Sequence, residues 1–124
     1  MVKQMLLVFF GGGIGCTLRY LVGKINLIQK EAFPFATLAV NLIGCLLIGI
    51  LMGWSLKNQP LQNNLVLFLV TGFCGGFTTF SAFSLENLTL LKEGHTFLFL
   101  TYVFVSIFIG LLLTFLGFYI TKSH

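Results

Sequence analysis

The chain has 124 residues, of which 57% are hydrophobic and only 8% are charged, with a formal net charge of +4. This small number of charged groups cannot solvate a globule of this size, and the composition therefore excludes a soluble domain. It predicts one integral membrane domain over residues 1–124. The seven basic residues are scattered singly. This distribution argues against nucleic-acid binding and favours contact with the lipid bilayer.

Four apolar segments reach the length of about 20 residues that a helix needs to cross a bilayer. They cover residues 4–23, 34–56, 64–91 and 96–121. The first lacks the features of a cleaved signal peptide and is predicted to be a retained helix. We therefore predict an all-α membrane protein with four transmembrane helices and both termini on one side.

The third segment is too long for one straight crossing, and the Gly75-Gly76 pair interrupts it. Irregular backbone at bilayer depth persists only where it is buried in protein or faces a cavity or an ion. Such costly features usually mark the functional part of a membrane protein. We predict two half-helices around a break at this glycine pair, near mid-membrane.

The lysines divide evenly between the two sides of the predicted membrane: Lys3, Lys57 and Lys122 against Lys24, Lys30 and Lys92. The positive-inside rule then gives no orientation bias, which predicts dual topology and an antiparallel homodimer. The alternative is one orientation fixed by features other than this count. Four helices packed about 8–10 Å apart are too few to enclose a pore, so any conduit needs a second subunit.

Small residues at four-residue spacing predict faces where helices approach closely. They occur in the first, second and fourth segments: Gly11 and Gly15, Gly49 and Gly53, and Ser106, Gly110 and Thr114. This pattern is common in membrane helices and indicates packing without indicating a function.

No set of residues typical of catalysis is present. The chain has no Asp, and His95 and His124 lie in a loop and at the carboxyl end. We therefore expect that the protein is not an enzyme.

Neutral polar side chains instead form stripes at helical spacing on three segments. They are Thr37 and Asn41; Tyr102, Ser106 and Thr114; and Thr78, Thr79, Ser81 and Ser84. A single hydroxyl in such a helix usually bonds its own backbone carbonyls, but three stripes favour a polar track for a small solute. Asn41 is the strongest indication, because a carboxamide in hydrocarbon requires partners.

Phe80 and Phe83 share a helix face directly beside the break and the hydroxyls. An aromatic ring carries a positive edge, so ring edges turned inward attract an anion without a full charge that would trap it. Plain core packing of the two rings is an equal alternative from spacing alone.

Three motifs in this order resemble the Fluc (CrcB-type) family of fluoride channels over nearly the whole chain. They are GGGIGCTLRY at residues 11–20, TLAVNLIG at residues 37–44 and GFCGGFTTFSAF at residues 72–83. The resemblance implies passive export of fluoride across the bacterial cytoplasmic (inner) membrane, through two pores in an antiparallel homodimer. It also implies a structural sodium ion, not transported, held at the two-fold centre by backbone carbonyls.

On this sequence the resemblance implies that the carbonyls of Gly75 and Thr78 bind sodium. With the polar stripes, it predicts an ion pathway of Asn41, Phe80, Phe83, Ser81, Ser84, Thr37, Tyr102, Ser106 and Thr114, with Arg19 near a vestibule. The family pattern has Thr where this chain has Ala82, through natural variation or engineering. Weaker fluoride conduction is one expectation from the missing hydroxyl.

The chemistry of fluoride agrees with this assignment. Fluoride loses its hydration shell in a dry pore, and hydroxyl, amide and aromatic-edge donors must replace that water. The alternative is a small dual-topology multidrug exporter driven by protons. Such an exporter needs an intramembrane carboxylate, whereas the first segment has none and Glu86 lies towards the end of the third. A non-transporting assembly subunit is a third interpretation, and it predicts no ion flux from the purified protein.

Overall fold

The computed structural model describes residues 1–25, 32–57 and 63–123, most of which are helical and none of which lies in a strand. Four helices are long and apolar enough to cross a membrane: Val2–Gly23, Phe35–Lys57, Asn64–Lys92 and Thr96–Ser123. The predicted all-α fold with four transmembrane helices is confirmed. Lys30, which entered the topology prediction, lies outside the described residues.

The third span consists of two helices, so the described chain contains five. α1 is Val2–Gly23 and α2 is Phe35–Lys57. α3 covers residues 63–77, α4 is Phe80–Lys92, and α5 covers residues 96–123. α3 and α5 each contain a π-helical stretch, Leu67–Cys74 and Val105–Ile109. Such wide turns inside α-helices are frequent at functional sites.

The third span is broken as predicted, but the predicted position of the break is wrong. The extended residues are Thr78 (φ −88°, ψ 160°) and Thr79 (φ −151°, ψ 121°), whereas Gly75 and Gly76 belong to the last turn of α3. The Thr79 hydroxyl accepts a hydrogen bond from the Ala82 backbone nitrogen at 3.1 Å and so begins α4 as an N-cap. Gly76 serves close packing, since a Cβ there would collide with the Gly12 carbonyl.

The helices pack in two close pairs, α1 against α3 and α2 against α5. The glycine pairs predicted from spacing lie in these contacts. A Cβ on Gly15 would collide with the Phe73 carbonyl and stand 2.8 Å from the Phe77 nitrogen. A Cβ on Gly49 would likewise collide with the Thr114 carbonyl. Small residues therefore bring the backbones together, as is usual between membrane helices.

Gly15→Ala is expected to destabilise the fold by about 1–3 kcal/mol, because its methyl group meets backbone atoms that cannot rotate away. Gly13→Ala is the matched control on the same helix, since no atom lies within 4 Å of its added Cβ. Heating both variants in detergent and measuring the folded fraction by size-exclusion chromatography checks this. Equal heat stability of the two variants would show that α1 and α3 can separate without cost.

Large apolar side chains cover the outside of the helices, whereas few side chains are buried. Val40, Cys74, Phe77, Leu90 and Tyr102 form the buried apolar core. So much exposed apolar surface is stable only in contact with lipid or with another protein. The protein is a multi-pass membrane protein.

Candidate functional site

A cavity of about 520 Å³ opens beside the break in the third span. Half of the residues predicted to form the site line this cavity: Asn41, Gly75, Thr78, Phe80, Phe83 and Ser106. They come from α2, α3, α4 and α5 and from the break itself. The fold therefore brings together residues from all three of the polar stripes seen in the sequence.

Two phenylalanines and a tyrosine form an aromatic cluster at this cavity. The ring centroids of Phe80 and Phe83 are 5.7 Å apart with planes tilted by 42°, and the Phe83 ring meets Tyr102 edge to face at 4.9 Å. Tyr102 is fully buried, whereas Phe80 is 79% exposed. One chain thus fixes the Phe83 ring but leaves the Phe80 ring uncovered.

Asn41 reaches from α2 to the backbone of the break. Its Nδ2 donates to the Thr79 carbonyl at 3.1 Å, and the Thr79 backbone nitrogen donates to its Oδ1 at 2.8 Å. One turn later on α2, a Cβ on Gly44 would collide with the Thr78 methyl group. α2 therefore packs directly on both extended residues.

The carbonyls at the end of α3 differ in their partners. The Cys74 carbonyl accepts from the Thr78 nitrogen at 3.0 Å and from the Thr78 hydroxyl at 2.9 Å. The Gly76 carbonyl accepts from Arg19 Nε at 3.1 Å. Within residues 1–25, 32–57 and 63–123, no hydrogen bond reaches the carbonyl oxygen of Gly75 or Thr78. Two uncommitted hard oxygen donors suit a small cation, so these residues fit a sodium ion.

A second cavity, of about 290 Å³, also borders the break. Arg19, Lys24, Thr37 and Ala82 line it, and Thr79 lines both cavities. The break, at Thr79, therefore borders both cavities. Arg19 lines this smaller cavity, and the hydroxyl that Ala82 lacks would have lined the same space.

Glu86 joins two of the predicted pathway residues, although the sequence analysis gave it no role. The Thr37 hydroxyl donates to Glu86 Oε2 at 2.9 Å, and the Tyr102 hydroxyl donates to Oε1 at 3.3 Å. The two hydroxyls that were predicted to face a solute thus bind a carboxylate. A signal was available, because Glu86 lies three residues after Phe83 and hence on the same helix face.

The remaining predicted residues divide between the site and the packing contacts. Ser81 lies 3.3 Å from the Thr79 hydroxyl, and the Ser106 hydroxyl, which lines the larger cavity, has no hydrogen-bond partner in the described part of the chain. Ser84 is exposed on α4. The structure does not bring Thr114 to the site, because its hydroxyl donates to the Cys45 and Gly110 carbonyls where α2 meets α5.

Comparison with known proteins gives matches over almost the full length. A family model described as "CrcB-like protein, Camphor Resistance (CrcB)" matches residues 6–118. The fluoride-specific ion channel FluC of Azobacteroides pseudotrichonymphae genomovar. CFP2 is 46% identical over 123 residues, 98% of each chain. The FluC of Flavobacterium psychrophilum is 43% identical over 123 residues, 98% of this chain and 99% of the relative.

Proposed function

The chain belongs to the CrcB-like protein family, and from that premise we propose that it is a fluoride-selective channel that exports fluoride passively from the cytoplasm. The observation that carries this proposal is the identity of 46% and 43%, over nearly the whole chain, to relatives named fluoride-specific ion channel. The three sequence motifs lie within the matched residues. Arg19, Asn41, Phe80 and Phe83 of these motifs line the two cavities at the break.

The donors at the larger cavity suit a dehydrated anion. Fluoride leaving water needs partners of positive partial charge, which the ring edges of Phe80 and Phe83, the Asn41 amide and the Ser106 hydroxyl can supply. The residues that line this cavity include no charged side chain, so the ion would be solvated without being trapped. Arg19 and Lys24 at the smaller cavity would raise the local concentration of anions.

A passive channel is sufficient to lower cytoplasmic fluoride. Hydrogen fluoride enters a cell as a neutral weak acid and ionises inside. An inside-negative membrane potential then drives the anion outwards with about 2.3 kcal/mol per 100 mV. The protein would carry out this task in the bacterial cytoplasmic (inner) membrane.

The functional unit in this proposal is an antiparallel homodimer with two pores. Support comes from the 79% exposure of Phe80 and from the open cavity beside it, since both leave one side of the aromatic cluster to a second copy. The carbonyls of Gly75 and Thr78 would hold the structural sodium ion at the two-fold centre. When bound, the ion would neutralise carbonyl dipoles that otherwise repel one another there.

Dual topology predicts that one engineered cysteine is accessible from both sides of the membrane. In a background lacking Cys16, Cys45 and Cys74, Lys57→Cys at the exposed end of α2 should react with an impermeant maleimide outside intact cells and also in inverted vesicles. His95→Cys, in the exposed connector on the other side, should give the same two-sided pattern. Reaction of each cysteine from a single, opposite side would establish one fixed orientation.

Fluoride release from liposomes that contain only this protein tests the proposed function. With potassium fluoride inside and valinomycin added, we expect prompt release of fluoride and no comparable release of chloride from matched vesicles. An assembly subunit would release neither anion. A proton-coupled exporter, for which Glu86 supplies the intramembrane carboxylate, would require an imposed pH gradient.

A further inference from the structure

We propose that Asn41 is a positioning residue that holds the break in the third span through both backbone polar groups of Thr79. Arg19 secures the other side of the same break. The proposal deepens the proposed channel function, because it concerns how the pore is shaped. It goes beyond the role of Asn41 as an amide donor to the ion.

The two hydrogen bonds of Asn41 fix the conformation of the break. Thr79 is extended, so its backbone nitrogen has no helical acceptor and would be unsatisfied at bilayer depth. Asn41 Oδ1 accepts from this nitrogen at 2.8 Å, while Nδ2 donates to the carbonyl of the same residue at 3.1 Å. A carboxamide can make this pair in only one orientation, so neither the side chain nor Thr79 is free to turn.

Arg19 holds the other side of the break from α1. Its Nε donates to the Gly76 carbonyl at 3.1 Å, in the last turn of α3. A cation is favourable at this position, because the carbonyls at a helix carboxyl terminus carry negative partial charge. In the described ranges the only ion pair joins His95 to Glu93, so Arg19 is not committed to a carboxylate there.

The pair of contacts determines where the functional groups on either side of Thr79 lie. Thr78, with its uncommitted carbonyl, precedes Thr79, and Phe80, with its exposed ring, follows it. A shift of Thr79 would therefore move the proposed sodium ligand and the aromatic cluster together. Among the described residues, Asn41 Nδ2 donates only to the Thr79 carbonyl, so its second N–H is available in the cavity that Asn41 lines.

Backbone hydrogen exchange measured by mass spectrometry on the assembled protein in lipid nanodiscs tests this role. Asn41→Ala removes both bonds to Thr79 and should speed exchange of the peptide that contains residues 78–82 by at least about tenfold, with other peptides unchanged. Ser106→Ala is the matched control. It removes a polar group from the same cavity, but one without a hydrogen-bond partner in the described part of the chain, and should leave that exchange at the parental rate.

Fluoride flux measured on the same samples completes the test. The proposal requires that Asn41→Ala loses flux together with the local protection of residues 78–82. Parental exchange with reduced flux would show that Asn41 acts on the ion alone. Faster exchange throughout the chain would show that Asn41 stabilises the fold as a whole. Parental flux despite faster exchange at residues 78–82 would show that its bonds to Thr79 do not shape the pore. Each of these three results would overturn the proposal.

A second variant covers the case in which Asn41→Ala does not assemble. Asn41→Asp keeps an acceptor oxygen at the position of Oδ1 for the Thr79 nitrogen but loses the Nδ2 donor, so exchange at residues 78–82 should lie between the rates of the parent and of the fully released backbone. Parental exchange in Asn41→Asp would overturn the proposal. The exchange measurement does not depend on the transported ion, so a failure of the proposed fluoride selectivity would be recognised separately in the flux assay.

Discussion

Phe83→Ile is expected to abolish fluoride flux or to reduce it at least about tenfold while the protein remains folded. The Phe83 ring lies between Phe80 at 5.7 Å and Tyr102 at 4.9 Å, so its edge is held in a fixed direction at the cavity. Isoleucine is also large and apolar but has no positive edge. Flux from liposomes at matched protein density measures the effect.

Phe97→Ile is the control for this substitution, because Phe97 is 79% exposed and lines neither cavity at the break. It should conduct at the parental rate. If Phe83→Ile conducts like Phe97→Ile and elutes at the parental size, the aromatic cluster is core packing and the anion passes elsewhere.

Asn41→Asp is expected to block conduction almost completely. The carboxylate would place an oxygen where Nδ2 now lies 3.1 Å from the Thr79 carbonyl, which replaces a hydrogen bond by repulsion. It would also place a negative charge beside the proposed path of an anion, where Coulomb repulsion is strong because little water screens it. Both effects act against flux, so the loss should exceed that of Phe83→Ile.

Asn64→Asp is a matched control, since it makes the same chemical change near the start of α3 and away from both cavities. A carboxylate in the first turn of a helix is favourable, so this variant should fold and conduct normally. Parental flux through folded Asn41→Asp at neutral pH would remove Asn41 from both the ion path and the break.

The four spans, the close glycine contacts and the existence of the break could be predicted from sequence, because apolar length and residue size decide them locally. The position of the break could not. The flexibility of Gly75 and Gly76 suggested an interruption there, yet both remain helical. The break is fixed by the Thr79 N-cap and by Asn41, which is 38 residues distant from Thr79 in sequence.

The candidate site likewise divides into features that local spacing predicts and contacts between residues distant in sequence. Spacing on a single helix placed Phe80 and Phe83 beside the break. It did not show that the hydroxyls of Thr37 and Tyr102 donate to Glu86, because the bond from Thr37 to Glu86 joins residues 49 apart. The Thr114 hydroxyl donates to the Gly110 carbonyl of its own helix, which is the usual local hydrogen bond of a threonine in a membrane helix.

The reversal potential in a planar bilayer tests most directly whether this protein is a passive fluoride channel. With a tenfold fluoride gradient, equal chloride on both sides and equal pH, we predict a current that reverses at about 59 mV, the equilibrium potential of a monovalent ion. A tenfold chloride gradient at equal fluoride should leave the reversal near zero. Reversal that follows chloride or a pH gradient, or the absence of any current from protein shown to be folded, would contradict the account.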